Sequence, residues 1–146
     1  MSAILALDTS TSRTSVALVR DDEVIATLHH DDPIAHGEIL PRLVAELLEI
    51  ENDISEVVIG MGPGPFTGLR VGIAFGQSFA FARNIPWRGV CSLDTMAAQI
   101  FERDFIVAID ARRKELFWAR YVDGARISEP QVGLIKVVEQ SEHAIY

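Results

Sequence analysis

The sequence predicts an α/β fold of two similar lobes, the second of them incomplete. Short apolar runs that end in aspartate alternate with helix-like patterns, which indicates a sheet packed against helices. The run FIVAID at residues 105–110 echoes ILALD at residues 4–8, and each run is followed by a turn, a second strand and a hairpin. Because strands that end in aspartate are common, chance similarity is the alternative to a repeat. The repeat favours a first lobe over residues 1–102 and a partial second lobe over residues 103–146.

Three strands are predicted at the start of the chain. Residues 3–7 form a short apolar run that leads into the hydroxyl-rich sequence DTSTS, a pattern typical of a buried strand and a turn. The second and third strands are predicted at residues 15–19 and 24–28. The polar residues 20–23 between them are few, so we expect a hairpin.

Residues 36–49 are predicted to form an amphipathic helix. Its apolar residues recur at steps of three and four, which places them on one face: Leu40, Leu43, Val44, Leu47 and Leu48. Proline is tolerated in the first turn of a helix but disrupts the helix interior, which restricts the place of Pro41. The helix therefore either begins near Pro41 or is kinked there.

Residues 60–79, GMGPGPFTGLRVGIAFGQSF, are rich in glycine and lead into another helix. A Walker A loop requires a lysine, and none follows Gly68; Pro65 stands where the third glycine of a Rossmann loop belongs. Thr67 is predicted to be the N-cap of the helix. An anion bound near Gly64 and Thr67 remains physically possible.

Small residues recur every four positions along this second helix, at Gly68, Gly72, Gly76 and Ala80. Each interior glycine costs roughly 1 kcal/mol relative to alanine, so close packing of another element must offset the cost. That element lies either inside this chain or on another subunit. The spacing alone leaves both alternatives open.

The remaining elements are predicted to be short. We expect strands at residues 57–61, 88–91, 105–110, 116–122 and 125–128, a helix at residues 93–101, and a turn at residues 123–124.

Composition excludes several classes of protein. The formal net charge of −8 disfavours binding of nucleic acid by this chain alone. Cys91 is the single cysteine, which excludes an internal disulfide or a cysteine-rich metal site and suits a reducing, cytoplasmic location. The first residues lack the features of a signal peptide, and no apolar run is long enough for a membrane span. The histidines form no metal-binding motif.

Five strings carry a resemblance to a known family: ILALDTSTS, HGEILPRL, GMGPGPFTGLRVGIAFGQSFA, SLDTMA and AIDARRKELFWA. They resemble TsaB, also called YeaZ, the bacterial tRNA threonylcarbamoyladenosine biosynthesis subunits. The resemblance runs from about residue 3 to about residue 122 and implies an actin-like fold (the ASKHA class) of two ribonuclease-H-like lobes. Members of the family usually have a completed second lobe, so this one is expected to be truncated.

The resemblance implies a non-catalytic partner in the modification of tRNA adenosine 37, not an enzyme. The catalytic paralogue TsaD carries a metal-binding histidine pair at positions that correspond here to Ser92 and Met96. ATP or ADP and the metal are therefore expected on partner subunits, and no cofactor on this chain. The expected partners are TsaD, the ATPase TsaE and, for the isolated chain, a second copy; tRNA is reached only through the complex.

The resemblance also implies a pairing surface on the two helices of the first lobe. The residues expected there are His36, Leu40, Leu43, Leu47, Gly68, Leu69, Gly72, Ile73, Gly76 and Phe79.

One alternative is a tRNA-binding module, since Arg112, Arg113 and Lys114 form a small basic patch, although a solvated turn also explains this run. The other alternative is an enzyme acting on its own, either a metallopeptidase or an actin-like phosphotransferase. Actin-like ATPases place an acidic residue and a hydroxyl-rich turn near phosphate. The corresponding candidate contacts are Asp8, Thr9, Ser10 and Thr11, together with Gly64 and Thr67. The partner turn at residues 110–113 lacks glycine, which disfavours this reading.

Overall fold

The first lobe is built on a five-stranded sheet, and the computed structural model describes all of residues 1–146. The strands are β1 (Ala3–Asp8), β2 (Arg13–Arg20), β3 (Glu23–Asp31), β4 (Ile54–Gly60) and β5 (Trp87–Val90). Their order across the sheet is β3-β2-β1-β4-β5. β1 pairs antiparallel with β2 and parallel with β4. The predicted hairpin between β2 and β3 is confirmed, and Asp21 and Asp22 form its turn with positive φ angles of 51° and 64°.

Two helices pack against the first sheet, α1 (His36–Ile50) and α2 (Phe66–Arg83). Leu40 and Leu47 of α1 and Leu5 of β1 are fully buried in their shared core. Pro41 lies inside α1, which continues past it. The prediction of Thr67 as the N-cap of α2 is wrong: Pro65 occupies that position, makes no side-chain cap, and Thr67 belongs to the first turn.

After α3 (Ser92–Ala97), the second lobe contains β6 (Asp104–Arg112), β7 (Glu115–Val122), β8 (Ala125–Arg126), β9 (Gln131–Leu134), α4 (Ile135–Glu139) and β10 (Ala144–Ile145). β6 pairs antiparallel with β7 and parallel with β10, as β1 pairs with β2 and β4. The predicted repeat is therefore present in the pairing of the strands. The predicted turn at Asp123 and Gly124 is also confirmed, with φ angles of 50° and 80°.

Helix α3 connects the two lobes. Leu93 and Ala97 are buried with Phe105 and Tyr121 of the second sheet. α3 ends at Ala97, earlier than predicted, because Gln99 and Ile100 donate to carbonyls only three residues back, which tightens the chain into turns. None of the helices has the length and apolar composition of a membrane span.

Candidate functional site

The turn that follows β1 is organised by the Asp8 carboxylate. Its Oδ1 accepts hydrogen bonds from the Ser10 amide (2.7 Å) and the Ser10 hydroxyl (2.5 Å). Its Oδ2 accepts one from the Ser92 hydroxyl (2.6 Å) of α3. Ser92 Oγ in turn accepts a hydrogen bond from the Gly62 amide (3.1 Å). One carboxylate thus ties together the first strand, the glycine-rich loop and the connecting helix.

Thr9 fixes helix α2 to the end of β1. Its side chain is 1% exposed. The hydroxyl donates to the Gly68 carbonyl (2.6 Å) and accepts from the Gly72 amide (3.0 Å). Both bonds fall on the stripe of small residues, so the helix backbone itself is what Thr9 contacts.

Glycine allows these close approaches. A Cβ atom added to Gly72 would collide with Thr9 Oγ1, and one added to Gly64 would collide with the Ser10 carbonyl. A Cβ atom at Gly76 would lie 2.6 Å from Ile59 Cδ1 of β4. The glycine stripe therefore packs inside the chain, against its own sheet, which is the first of the two alternatives left open by the sequence.

The residues predicted for pairing mostly face this interior. Buried residues are His36, Leu40, Leu43, Leu47, Gly68, Gly72 and Gly76, and half-buried ones are Leu69, Ile73 and Phe79. The buried seven lie where α1 and α2 pack against the rest of the chain, and their part in pairing stays a prediction. Their role here is to hold α1 and α2 in place.

The predicted phosphate contacts fall into two groups. Asp8, Thr9 and Ser10 are engaged in the internal bonds described above, and Thr9 and Ser10 are each 1% exposed. Thr11, Gly64 and Thr67 instead line a cleft of about 1000 Å³ between the lobes. Across the cleft lie Asp110, Ala111 and Arg112 at the end of β6, and Arg113 in the turn that follows. No group of three or more His, Cys, Asp or Glu side chains is placed to hold a metal ion.

A polar clamp joins α3 to the second sheet. Asp94 Oδ1 accepts hydrogen bonds from the Tyr121 hydroxyl (2.6 Å) and from Arg126 Nε (2.9 Å). Burial, assisted by the hydrogen bond to Asp94, raises the pKa of the Tyr121 hydroxyl, which keeps it a donor at neutral pH. No local pattern indicates this contact, since the partners lie 27 and 32 residues apart.

His36 is buried at the start of α1, where Thr14 Oγ1 lies 2.7 Å from its Nδ1. Burial lowers the pKa of His36 below its ordinary value of 6.5. The folded chain therefore keeps the ring neutral at a pH where the unfolded chain already takes up a proton. Because the unfolded state binds more protons, the free energy of unfolding falls as the pH drops below 6.5.

We expect the variant His36→Gln to lose this pH dependence. Urea unfolding of both proteins at pH 7 and at about pH 5 should show a larger fall in the free energy of unfolding for the unmodified chain. Carboxylates that titrate in this range contribute to both proteins and cancel in the comparison. A difference between the two pH values that is the same in both proteins would contradict a neutral, buried His36.

Comparisons of the sequence with known proteins point to the biosynthesis of threonylcarbamoyladenosine in tRNA. The family model described as "TsaD: tRNA N6-adenosine threonylcarbamoyltransferase" matches residues 33–137. The TsaB protein of Escherichia coli (strain K12), a tRNA threonylcarbamoyladenosine biosynthesis protein, is 38% identical over 127 residues, which is 81% of this chain and 54% of that protein. The chain thus spans about half the length of this curated relative.

Solved structures are similar in fold. YeaZ from Pseudomonas aeruginosa superposes with a TM-score of 0.78 at 33% identity, over 90% of this chain and 67% of that one. A putative N-acetylmannosamine kinase from Listeria monocytogenes superposes with a TM-score of 0.53 at 14% identity, over 86% of this chain and 49% of that one. The second likeness concerns the fold alone, and both bear out the predicted actin-like class.

Proposed function

Because this chain belongs to the TsaB (YeaZ) family, we propose that it is the non-catalytic partner subunit of the complex that transfers a threonylcarbamoyl group to adenosine 37 of tRNA. In this role it pairs with a TsaD-like catalytic paralogue and, through it, works with a TsaE-like ATPase. ATP or ADP and the metal belong to those partners. The chain meets tRNA through the complex and forms a homodimer when the paralogue is missing.

The observation that carries the non-catalytic role is the position of Ser92. The family resemblance aligns Ser92 and Met96 with the metal-binding histidines of the paralogue. Ser92 Oγ is 2.6 Å from Asp8 Oδ2 and 3.1 Å from the Gly62 amide, so its hydroxyl is already used inside the chain. Met96 packs against the buried cluster of the second lobe. Neither side chain is a plausible ligand for iron or zinc.

The outer faces of α1 and α2 support pairing. The exposed positions include small residues four apart on each helix: Gly37, Pro41 and Ala45 on α1, and Ala74, Ser78 and Ala82 on α2. Small side chains let a partner helix approach closely. Phe66 and Phe81, near the two ends of α2, are 71% and 88% exposed and supply apolar surface for a partner to cover. We assign the pairing surface to these outer faces.

The engaged Asp8 side chain disfavours the alternative of an independent phosphotransferase. Both of its carboxylate oxygens accept hydrogen bonds from Ser10 or Ser92. Presenting this carboxylate to a magnesium–phosphate group would require breaking those bonds. A metallopeptidase would need ligands that this chain does not bring together.

Reconstitution tests the proposal. Unmodified tRNA, threonylcarbamoyl-adenylate and the TsaD-like and TsaE-like proteins of the same organism are mixed with and without this chain, and threonylcarbamoyladenosine is quantified. We expect product only when the chain is added, and none from the chain alone. Product formed by the chain without the paralogue would overturn the non-catalytic role. Equal product with and without the chain would overturn the partner role.

A further inference from the structure

The unpaired positive charge of this acidic chain is concentrated at one end of the second sheet. Most arginines form ion pairs with carboxylates. Arg70 and Arg83 lie over the rings of Phe66 and Phe79. Four cations form neither an ion pair nor a contact with an aromatic ring: Arg112, Arg113, Lys114 and Lys136.

Three of these cations are consecutive and form the tip of the hairpin between β6 and β7. Arg112, Arg113 and Lys114 are all exposed. Lys136 is nearby in the fold, because the amide of its neighbour Ile135 donates to the Lys114 carbonyl (3.0 Å). We call Arg112, Arg113, Lys114 and Lys136 the basic tip.

The backbone of the basic tip has an unfavourable conformation for its residues. Arg112, Arg113 and Lys114 have φ angles of 65°, 55° and 64°, in the left-handed region. Two-residue hairpin turns of this kind favour Asn-Gly or Asp-Gly. The other two hairpins fit this preference better, with Asp21-Asp22 and Asp123-Gly124.

Packing does not explain this choice of residues, because the three side chains are exposed and make no hydrogen bond or ion pair. The turn is nevertheless held in place: Asp110 Oδ1 accepts a hydrogen bond from the Arg112 amide (2.7 Å), and the Lys114 carbonyl accepts from α4. A fixed turn that presents cations at a conformational cost is typical of a binding contact.

We propose that the basic tip contacts the phosphate backbone of the tRNA in the assembled complex, an inference that rests on the proposed function. Arginine and lysine neutralise phosphates and release counterions, which makes such binding dependent on salt. Asp110 and Glu115 flank the tip and the net charge of the chain is −8, so the tip adds to binding by the complex without binding RNA by itself.

The double variant R113N/K114G tests the proposal. Asn-Gly is the preferred sequence for this turn, so the variant keeps or raises the melting temperature while it removes two cations. The double variant R88Q/R103Q is the matched control, since it removes the same charge from two exposed arginines that are ion-paired, to Glu56 and Asp123.

The measurement is the dissociation constant of the complex for unmodified tRNA at several salt concentrations. For R113N/K114G we expect affinity about tenfold weaker at low salt, and a slope of log K against log salt reduced by roughly two, as expected for two lost phosphate contacts. The R88Q/R103Q complex should bind as the unmodified complex does. Assembly with the paralogue is measured separately by size exclusion, and we expect both variants to assemble normally.

Three results would overturn the proposal. One is unchanged affinity and salt slope for R113N/K114G in an assembled complex. Another is an equal loss in R88Q/R103Q, which would indicate a general effect of net charge. The third is saturable binding of ATP or inorganic phosphate to the isolated chain that R113N/K114G abolishes, since the tip would then serve a small anion. Failure of the unmodified chain to assemble with the paralogue would refute the proposed function itself.

Discussion

Replacing Ala74 with arginine is expected to weaken pairing with the TsaD-like paralogue by more than about a hundredfold, a loss of roughly 3 kcal/mol. Ala74 is exposed in the middle of α2, one turn from Arg70 and one turn from Ser78. Ala74 lies two positions after Gly72, a rotation of about 200° around the helix, so it lies on the face opposite to the buried glycines. A long charged side chain there would prevent close approach of a partner helix and would have to lose its hydration.

Isothermal titration of each variant with the paralogue measures this effect, and circular dichroism checks that the chain remains folded. Ala98→Arg is the matched control, because Ala98 is exposed where α3 ends, away from α1 and α2. We expect both variants to unfold at the same temperature as the unmodified chain and only Ala74→Arg to lose affinity. Normal affinity for Ala74→Arg would place the pairing surface elsewhere.

Much of the fold could be predicted from the sequence because its signals are local. Short continuous apolar runs indicate β1 and β6, and the aspartate at the end of β1 precedes the turn that it organises. Polar residues between two apolar runs indicate the hairpin turns at Asp21 and Asp123, and both residues have the positive φ angles of such turns. Each of these signals lies within a few residues of the structure that it specifies, so no knowledge of the tertiary fold is needed.

The direction in which α2 faces could not be predicted in the same way. A spacing of four places Gly68, Gly72 and Gly76 on one face, but periodicity does not reveal what lies opposite that face. The answer depends on Thr9, 63 residues before Gly72, whose hydroxyl bonds the helix backbone. For the same reason the bond between Asp8 and Ser92, 84 residues apart, has no sequence signal.

Replacing Gly72 with alanine is expected to lower the free energy of unfolding by about 2–3 kcal/mol. Alanine favours the helix by roughly 1 kcal/mol. The added methyl group would nevertheless collide with Thr9 Oγ1, which is held by two buried hydrogen bonds and cannot move without weakening them. Overpacking of this kind costs about 1–3 kcal/mol, and each weakened bond adds about 1 kcal/mol.

Urea unfolding of Gly72→Ala and Gly37→Ala provides the comparison. Both glycines are in helices, but nothing lies within 4 Å of a Cβ atom added to Gly37. Gly37→Ala should therefore be neutral or more stable by up to about 1 kcal/mol. A Gly72→Ala chain as stable as the unmodified one would contradict the view that the glycine stripe holds α2 against the sheet.

A double-mutant cycle with Thr9→Ala identifies the atom responsible. Thr9→Ala removes both hydrogen bonds and by itself destabilises the chain, but it also empties the space that the Gly72→Ala methyl group needs. The effects of the two substitutions should therefore not add, and the double variant should be more stable than their sum predicts by about 1 kcal/mol or more. Additive effects would mean that the methyl group is excluded by another neighbour. A positive coupling would show that the glycine at position 72 is required because Thr9 reaches across from β1 to bond the helix backbone.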